Sequence, residues 1–301
     1  MKKNRGFIAL FLTPALLFFC SIFIYPIMRT TLMSFFYVDR VTAPLREWTF
    51  VGLSNYFEVL KTPLFRTSIW NMLKIWFIGG IVVMSISLLF AAILNSGIRL
   101  KKFFRAAIYM PNVISAVALA TMWLQFVFNN RFGLLKTFFT LIGADTLAQI
   151  QWTAPEHLFT SMLIAYCFGM VGYHMLIFSS GIEKIPEDYF SAAYIDGAGK
   201  VKQFFKITLP LMVGEARTNF IMWSITSVGF FLWARLFSTA TADKSTITPL
   251  VYLYIHTFGA GNAITERNAG LGASVGVIMC IIVVTLFSLS NVIFKRDDYE
   301  F

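Results

Sequence analysis

Six long apolar stretches constrain this chain more than any other feature. They cover residues 7–36, 69–94, 106–128, 158–181, 214–237 and 270–294. Each is close to the roughly 20 apolar residues that a helix needs to cross the hydrocarbon core of a bilayer. The expected fold class is therefore all-α, a polytopic membrane protein with six transmembrane helices. It reads as a single domain over residues 1–301, one helical bundle with short loops. Composition agrees, since 57% of the residues are hydrophobic and 13% charged, more apolar matter than most soluble domains could bury.

The start of the chain is basic (Lys2, Lys3, Arg5) and then apolar, as a secretory signal is. A signal core is only about 7–15 residues long, and no small-residue cleavage site follows, so this is a retained first span, with Pro14 and Pro26 as places for a bend. Net charge is +10, but the basic residues are spread among loops, which fits anionic headgroups and membrane topology rather than nucleic acid. With the amino terminus in the cytoplasm, the short inner loops carry Lys2, Lys3, Arg5, Arg99, Lys101, Lys102, Arg105, Lys184, Lys200, Lys202, Lys206, Lys295 and Arg296. The longer outer segments carry Arg40, Arg46, Lys61, Arg66, Arg131, Lys136, Arg235, Lys244 and Arg267. The positive-inside rule then puts both termini in the cytoplasm. Cys20, Cys167 and Cys280 lie inside apolar runs without paired spacing and read as buried free thiols. Lys74 and Arg29, near span ends, read as side chains that snorkel to headgroups.

The longest polar interruption among the later runs is the loop 185–210, which the same rule makes cytoplasmic. Pro186 suits the first turn of a helix, and Glu187 and Asp188 sit where the positive helix end favours acids. Tyr189, Phe190, Ala193 and Tyr194 recur at helical spacing and predict one apolar face. Asp196-Gly197 ends the helix, because glycine accepts the left-handed turn of a C-cap. A second apolar stretch begins near Val201 and is expected to stop at Leu209-Pro210. An exposed, aromatic-faced helix between spans is a place to meet another protein.

This run resembles the cytoplasmic EAA loop of ATP-binding-cassette (ABC) importer permeases, in the sugar (maltose or carbohydrate-type, binding-protein-dependent) branch. The matching residues are Ala192-Ala193, Asp196-Gly197-Ala198, and Ile207 just before Leu209-Pro210. Ser191 stands where the family usually has the glutamate that names the motif, so a contact made by that carboxylate does not carry over. Phe50-Val51-Gly52-Leu53-Ser54-Asn55-Tyr56-Phe57 is similar to the family's segment after the first span. Phe104 to Pro111, Trp123, Gly133, Ser245–Tyr254 and Asn268–Ser274 resemble later parts of it. The resemblance implies that Tyr189, Phe190, Ser191, Ala192, Ala193, Asp196, Gly197 and Ala198 couple the chain to an ATPase. It also implies a bacterial inner-membrane location and a second, homologous permease chain in a heterodimer. Two copies of an ABC ATPase would bind ATP and Mg, and an extracytoplasmic sugar-binding protein would deliver cargo.

No catalytic constellation is visible, and no cofactor is expected in this chain. Asp196-Gly197-Ala198-Gly199-Lys200 looks like part of a phosphate-cradling loop, but Tyr194 and Val201 stand where that motif needs glycine and Ser or Thr. His157, His174 and His256 are far apart and lack metal spacing. Sugar sites combine aromatic faces with amides and hydroxyls. Tyr166, Gly169, Met170 and Tyr173 share one face of the fourth span, and Trp223, Ser227 and Phe230 share one of the fifth, with Thr226 alongside. In the maltose-type permeases these spans line the sugar site, and Tyr173 aligns with a tyrosine there; interhelical packing is the alternative role. An ion-coupled carrier would show acids within its spans, whereas Asp39, Glu58, Asp145, Glu156, Asp243 and Glu266 fall in loops. Another cargo, a polyamine or glycerol phosphate, is the nearest alternative to a sugar.

Overall fold

The computed structural model describes residues 5–238, 243–259 and 267–294. Lys2, Lys3, Glu266, Lys295 and Arg296 lie outside them. Among the described residues the chain is helical, apart from one two-stranded antiparallel ribbon that pairs Phe36 with Phe50 and Tyr37 with Thr49. Among the described residues four helices are long and apolar enough to cross a membrane: Leu10–Met33, Pro63–Leu94, Pro155–Ile182 and Ala269–Ile293. A fifth crossing is available if Lys101–Val113 and Ala116–Val127 act together, although they meet at a bend of 97°. Pro111 and the extended Ile114 interrupt the helix there, and Ser115 caps the new one by accepting from Ala118 N. The expected span 214–237 is two helices, Val213–Val228 and Leu232–Phe237. At 16 and 6 residues neither piece is long enough to cross a membrane by itself, and Glu215, Arg217, Thr218 and Asn219 load the first turns of the longer one with polar groups.

The chain divides into two compact units. One comprises the residues up to Arg66 together with Pro249–Ile281. Its small core holds Met33, Val38, Trp48, Ala269 and Ala273. Asn55 explains the Gly-Leu-x-Asn-Tyr segment: its buried Nδ2 donates to the carbonyls of Ser34 and Phe36, both at 2.9 Å, and its Oδ1 accepts from Asn268 Nδ2 at 3.1 Å. Tyr56 shares a 2.6 Å hydrogen bond with Ser34 Oγ. A Cβ at Gly270 would overlap the Phe36 carbonyl, and one at Gly272 would overlap Thr257, so the small residues after Asn268 are what let these backbones meet.

The other unit comprises Thr67–Thr248 and the residues from Ile282 onward. Pro155–Ile182 is its axis, with most of its apolar length buried. Lys101–Val113 crosses this axis at Gly172, where a Cβ would strike the backbone of Ile108 and Tyr109. A core of Ala91, Leu94, Met175, Phe178, Ile185 and Met212 closes one end.

Several expectations are corrected. Cys20 and Cys280 are exposed on their helices and only Cys167 is buried. Beyond these corrections, Arg29 donates to the Val41 carbonyl at 3.0 Å, and Lys74 Nζ lies 5.3 Å from the Phe159 ring. Glu58, Asp145 and Glu156 sit on helices, not in loops. The segment that follows the loop's first helix ends at Leu211, one residue past Pro210, and Met212 separates it from Val213–Val228; the wide turn Phe204–Thr208 before Pro210 departs from the regular hydrogen-bond ladder. The same kind of turn, Cys20–Ile24, precedes Pro26 in the first span.

Candidate functional site

The loop after Pro155–Ile182 folds into the helix Glu187–Ile195, with Pro186 at its N-cap and Glu187 and Asp188 in its first turn. Gly197 adopts φ +74°. Its N–H donates to the Tyr194 carbonyl at 3.0 Å, and the Ala198 N–H reaches back to Ala193 at 2.8 Å. These paired bonds are the glycine C-cap that the sequence predicted.

The single apolar face divides in two. Phe190 packs with Ile185 and Ile207 on the bundle end, Ala193 is half-buried and Ala198 is buried. Tyr189 is exposed, and Tyr194 and Ile195 face outward at 78% and 84% exposure. Ser191, Ala192, Asp196 and Gly197 are also exposed. Val201 and Phe205, on the next helical segment, extend this bare apolar surface. Sequence reasoning missed Ile195, Val201 and Phe205, although three exposed apolar residues beside lysines are themselves a signal for a contact surface.

Within the membrane portion, the fourth- and fifth-span residues do meet. Tyr166 stands edge-on to Phe230 at 4.8 Å between ring centroids, and lies 5.7 Å from both Trp223 and Trp233. Trp223 Nε1 donates to the Trp76 carbonyl at 2.7 Å. The indole fits only because Gly79 and Gly80 lie beneath it: a Cβ at either would come within 2.9 Å or less of the ring. Trp76 in turn donates to Ser224 Oγ at 3.0 Å. His174 Nδ1 donates to Asn219 Oδ1 at 2.7 Å. Gly79, Gly80, Trp76, His174 and Asn219 were not singled out for this site; the Gly-Gly pair opposite a tryptophan was the available signal.

Tyr166, Gly169, Trp223, Ser227 and Phe230 are buried against one another and their neighbours, while Met170, Tyr173 and Thr226 are half-buried. Thr226 Oγ1 is spent on the carbonyls of Met222 and Trp223. The buried Ser227 Oγ and His174 Nε2 have no hydrogen-bond partner among the described residues. An apolar cavity of about 690 Å³ opens elsewhere in this unit, lined by Ile86, Phe90, Ile108, Trp123, Phe168 and other apolar side chains. None of the predicted path residues lines it.

The chain is thus all-α and multi-pass, with a glycine-capped helix following the long buried span Pro155–Ile182. The family profile "Binding-protein-dependent transport system inner membrane component" matches residues 84–297, and the chain belongs to that family. It is 30% identical to the arabinooligosaccharides transport system permease protein AraP of Bacillus subtilis, over 93% of this chain and 86% of that protein. It is 25% identical to the sulfoquinovosyl glycerol transport system permease protein SmoG of Agrobacterium fabrum, over 92% of this chain and 86% of that one. Its fold matches a chain of a bacterial alginate ABC transporter solved in complex with an alginate pentasaccharide-bound periplasmic protein. The TM-score there is 0.81 at 18% identity, covering 98% of this chain and 96% of that one.

Proposed function

We propose that this chain is a transmembrane subunit of an ATP-driven, binding-protein-dependent importer for a sugar or oligosaccharide, working by alternating access. The observation that carries the reading is the glycine-capped helix Glu187–Ile195, which turns Tyr194 and Ile195 outward in a chain of this family. Tyr189, Phe190, Ser191, Ala192, Ala193, Asp196, Gly197 and Ala198 then form or support the seat for a nucleotide-binding subunit. That subunit, in two copies, binds the ATP and Mg. Phe190 and Ala198 act from beneath by anchoring the helix, and the exposed residues make the contact. The cargo class rests on the relatives whose names specify saccharide or glycoside transport.

Six crossings, both termini in the cytoplasm and a second, homologous permease chain complete the assembly. The bent pair around Ile114 and the divided fifth span account for two of the crossings. An extracytoplasmic binding protein hands the sugar to the outer loops. The path runs along Tyr166, Gly169, Met170, Tyr173, Trp223, Thr226, Ser227 and Phe230, whose rings can stack on a sugar face. Ser227 Oγ and the neighbouring His174 Nε2 have hydrogen-bonding capacity left over. Closure of the ATPases moves the docking helix, and the spans rock as bodies between outward and inward states.

The test is purification of the tagged chain in gentle detergent after expression with its genomic neighbours. An ATPase subunit and a second permease should co-purify, and the binding protein loaded with arabino-oligosaccharides or another saccharide should stimulate ATP hydrolysis. A chain that purifies alone and accumulates solute without ATP would overturn the reading.

A further inference from the structure

We propose that Glu183 is the hub of an ionic belt that makes the second, third and fifth spans move with the docking helix. The proposal rests on the docking reading above and deepens it. A push on Glu187–Ile195 reaches the Pro155–Ile182 helix directly through the chain, but the other spans need a separate link.

The links are present at that end of the bundle. Asn95, the C-cap of the Pro63–Leu94 helix, donates from Nδ2 to Ser179 Oγ at 3.1 Å and accepts Lys101 Nζ at 2.6 Å. Lys101 also donates to Glu183 Oε1 at 2.9 Å, and Arg105 binds the same oxygen. Lys184, the next residue, pairs with Glu215 Oε1 at 3.0 Å in the first turn of the Val213–Val228 helix. Gly181 makes that approach possible, since a Cβ there would lie 2.7 Å from Glu215 Cγ. Four helix ends are thus joined through two adjacent residues, Glu183 and Lys184.

Helix electrostatics argue that the central pair is selected for its partner. Glu183 is an anion at the C-cap of its own helix, and Lys101 is a cation in the first turn of its own. Each is at the end where the helix dipole disfavours it, so neither is explained by local helix stability. Across the gap the two mismatches offset one another. Leu100, immediately before Lys101, holds a left-handed φ of +60°, the one non-glycine among the described residues to do so. Backbone strain of this kind persists where surrounding contacts over-determine it, and here it sets the direction in which Lys101 leaves the turn.

The experiment uses the full assembly in nanodiscs, with the exposed native thiols removed by Cys20→Ser and Cys280→Ser and spin labels at Lys102→Cys and Lys202→Cys, two exposed positions on the 2–3 turn and on the segment after the docking helix. Inter-label distances are measured nucleotide-free and after trapping with ATP and vanadate. With Glu183 present the two segments travel together, and the distance should be the same in both states. With Glu183→Gln it should shift or broaden by several ångströms on trapping, while uptake of arabino-oligosaccharide per ATP falls by about fivefold or more, the scale of a site-to-site coupling energy. A double exchange, Glu183→Lys with Lys101→Glu, should restore part of the coupling. Unchanged distances and coupling in Glu183→Gln would overturn the proposal, as would a distance that already changes with Glu183 in place. The ATPase should still co-purify with Glu183→Gln, because the belt lies behind the docking surface. If it is lost only in the variant, Glu183 serves grip and the belt is overturned. If it is absent without the substitution, the docking reading itself falls.

Discussion

Replacing Gly197 separates a conformational requirement from a steric one. Its φ of +74° lies where an L side chain costs about 1–2 kcal/mol, yet a Cβ there would have no atom within 4 Å. The penalty therefore falls on the backbone alone. The helix it caps has nine residues, a length at which helices gain little from their own hydrogen bonds. A loss of about 1–2 kcal/mol lowers the population of the capped form by roughly 5–30-fold. In Gly197→Ala the last turn should fray and carry Tyr194 and Ile195 out of register. Gly197→Val should be worse, because β-branched residues are poorly accommodated at positive φ. Gly197→Asn should be the mildest, since asparagine visits the left-handed region readily. The assay is uptake per ATP hydrolysed in proteoliposomes, with the expected order Gly, Asn, Ala, Val. If Asn is as damaging as Val, size at an interface rather than backbone conformation governs this position. A fully coupled Val variant would refute the role of the cap altogether.

Other predictions follow from the same contacts. Asn55→Ala leaves the buried Ser34 carbonyl, the part-buried Phe36 carbonyl and the Asn268 amide without their shared partner, and at about 1–3 kcal/mol for an unsatisfied buried group it should sharply lower thermal stability in detergent; an unchanged melting temperature would contradict the hub role of this side chain. Gly172→Ala places a methyl against the backbone of Ile108 and Tyr109, atoms that cannot rotate away, and overpacking of about 1–3 kcal/mol should reduce yield and stability more than Gly214→Ala, where a Cβ meets nothing. Hydrogen bonding from Lys101, and then the charge and hydrogen bond of Arg105, hold the Glu183 carboxyl below the ordinary glutamate value of 4.5. Because that value is depressed in the folded chain, the belt's contribution is complete above pH 4.5 and is lost as pH falls through the lowered one. Coupling should therefore show no Glu183-dependent change down to that pH, and a loss near neutrality that Glu183→Gln abolishes would contradict the assignment. Being half-exposed, these pairs contribute only about 0–1 kcal/mol each to stability, so Glu183→Gln should fold normally.

The helix Glu187–Ile195 was legible because its boundaries are local chemistry: proline and acids at one end, and a glycine at the other that must adopt positive φ. The bilayer-length runs were legible for a similar reason, as length and apolarity decide them together. Which face of Glu187–Ile195 turns inward was not, because Phe190 and Tyr194 are both aromatic and only the position of Ile185 and Ile207 separates them. The fifth span read as one apolar run over 214–237, and only the structure shows the break around Gly229 that divides it. Asn55 could be named from a motif but not explained without Asn268, more than two hundred positions away. Glu183 passed unnoticed since its partners lie 78 and 82 residues earlier; a charge at the wrong end of a helix was the clue.

The most direct measurement replaces Ile195 with a photo-crosslinking amino acid in the assembled transporter in native membranes. The account predicts a covalent adduct with the nucleotide-binding subunit, stronger or weaker with nucleotide but always with that partner. An adduct with the extracytoplasmic binding protein, labelling of this position by a membrane-impermeant reagent from outside, or no protein adduct at all would contradict it.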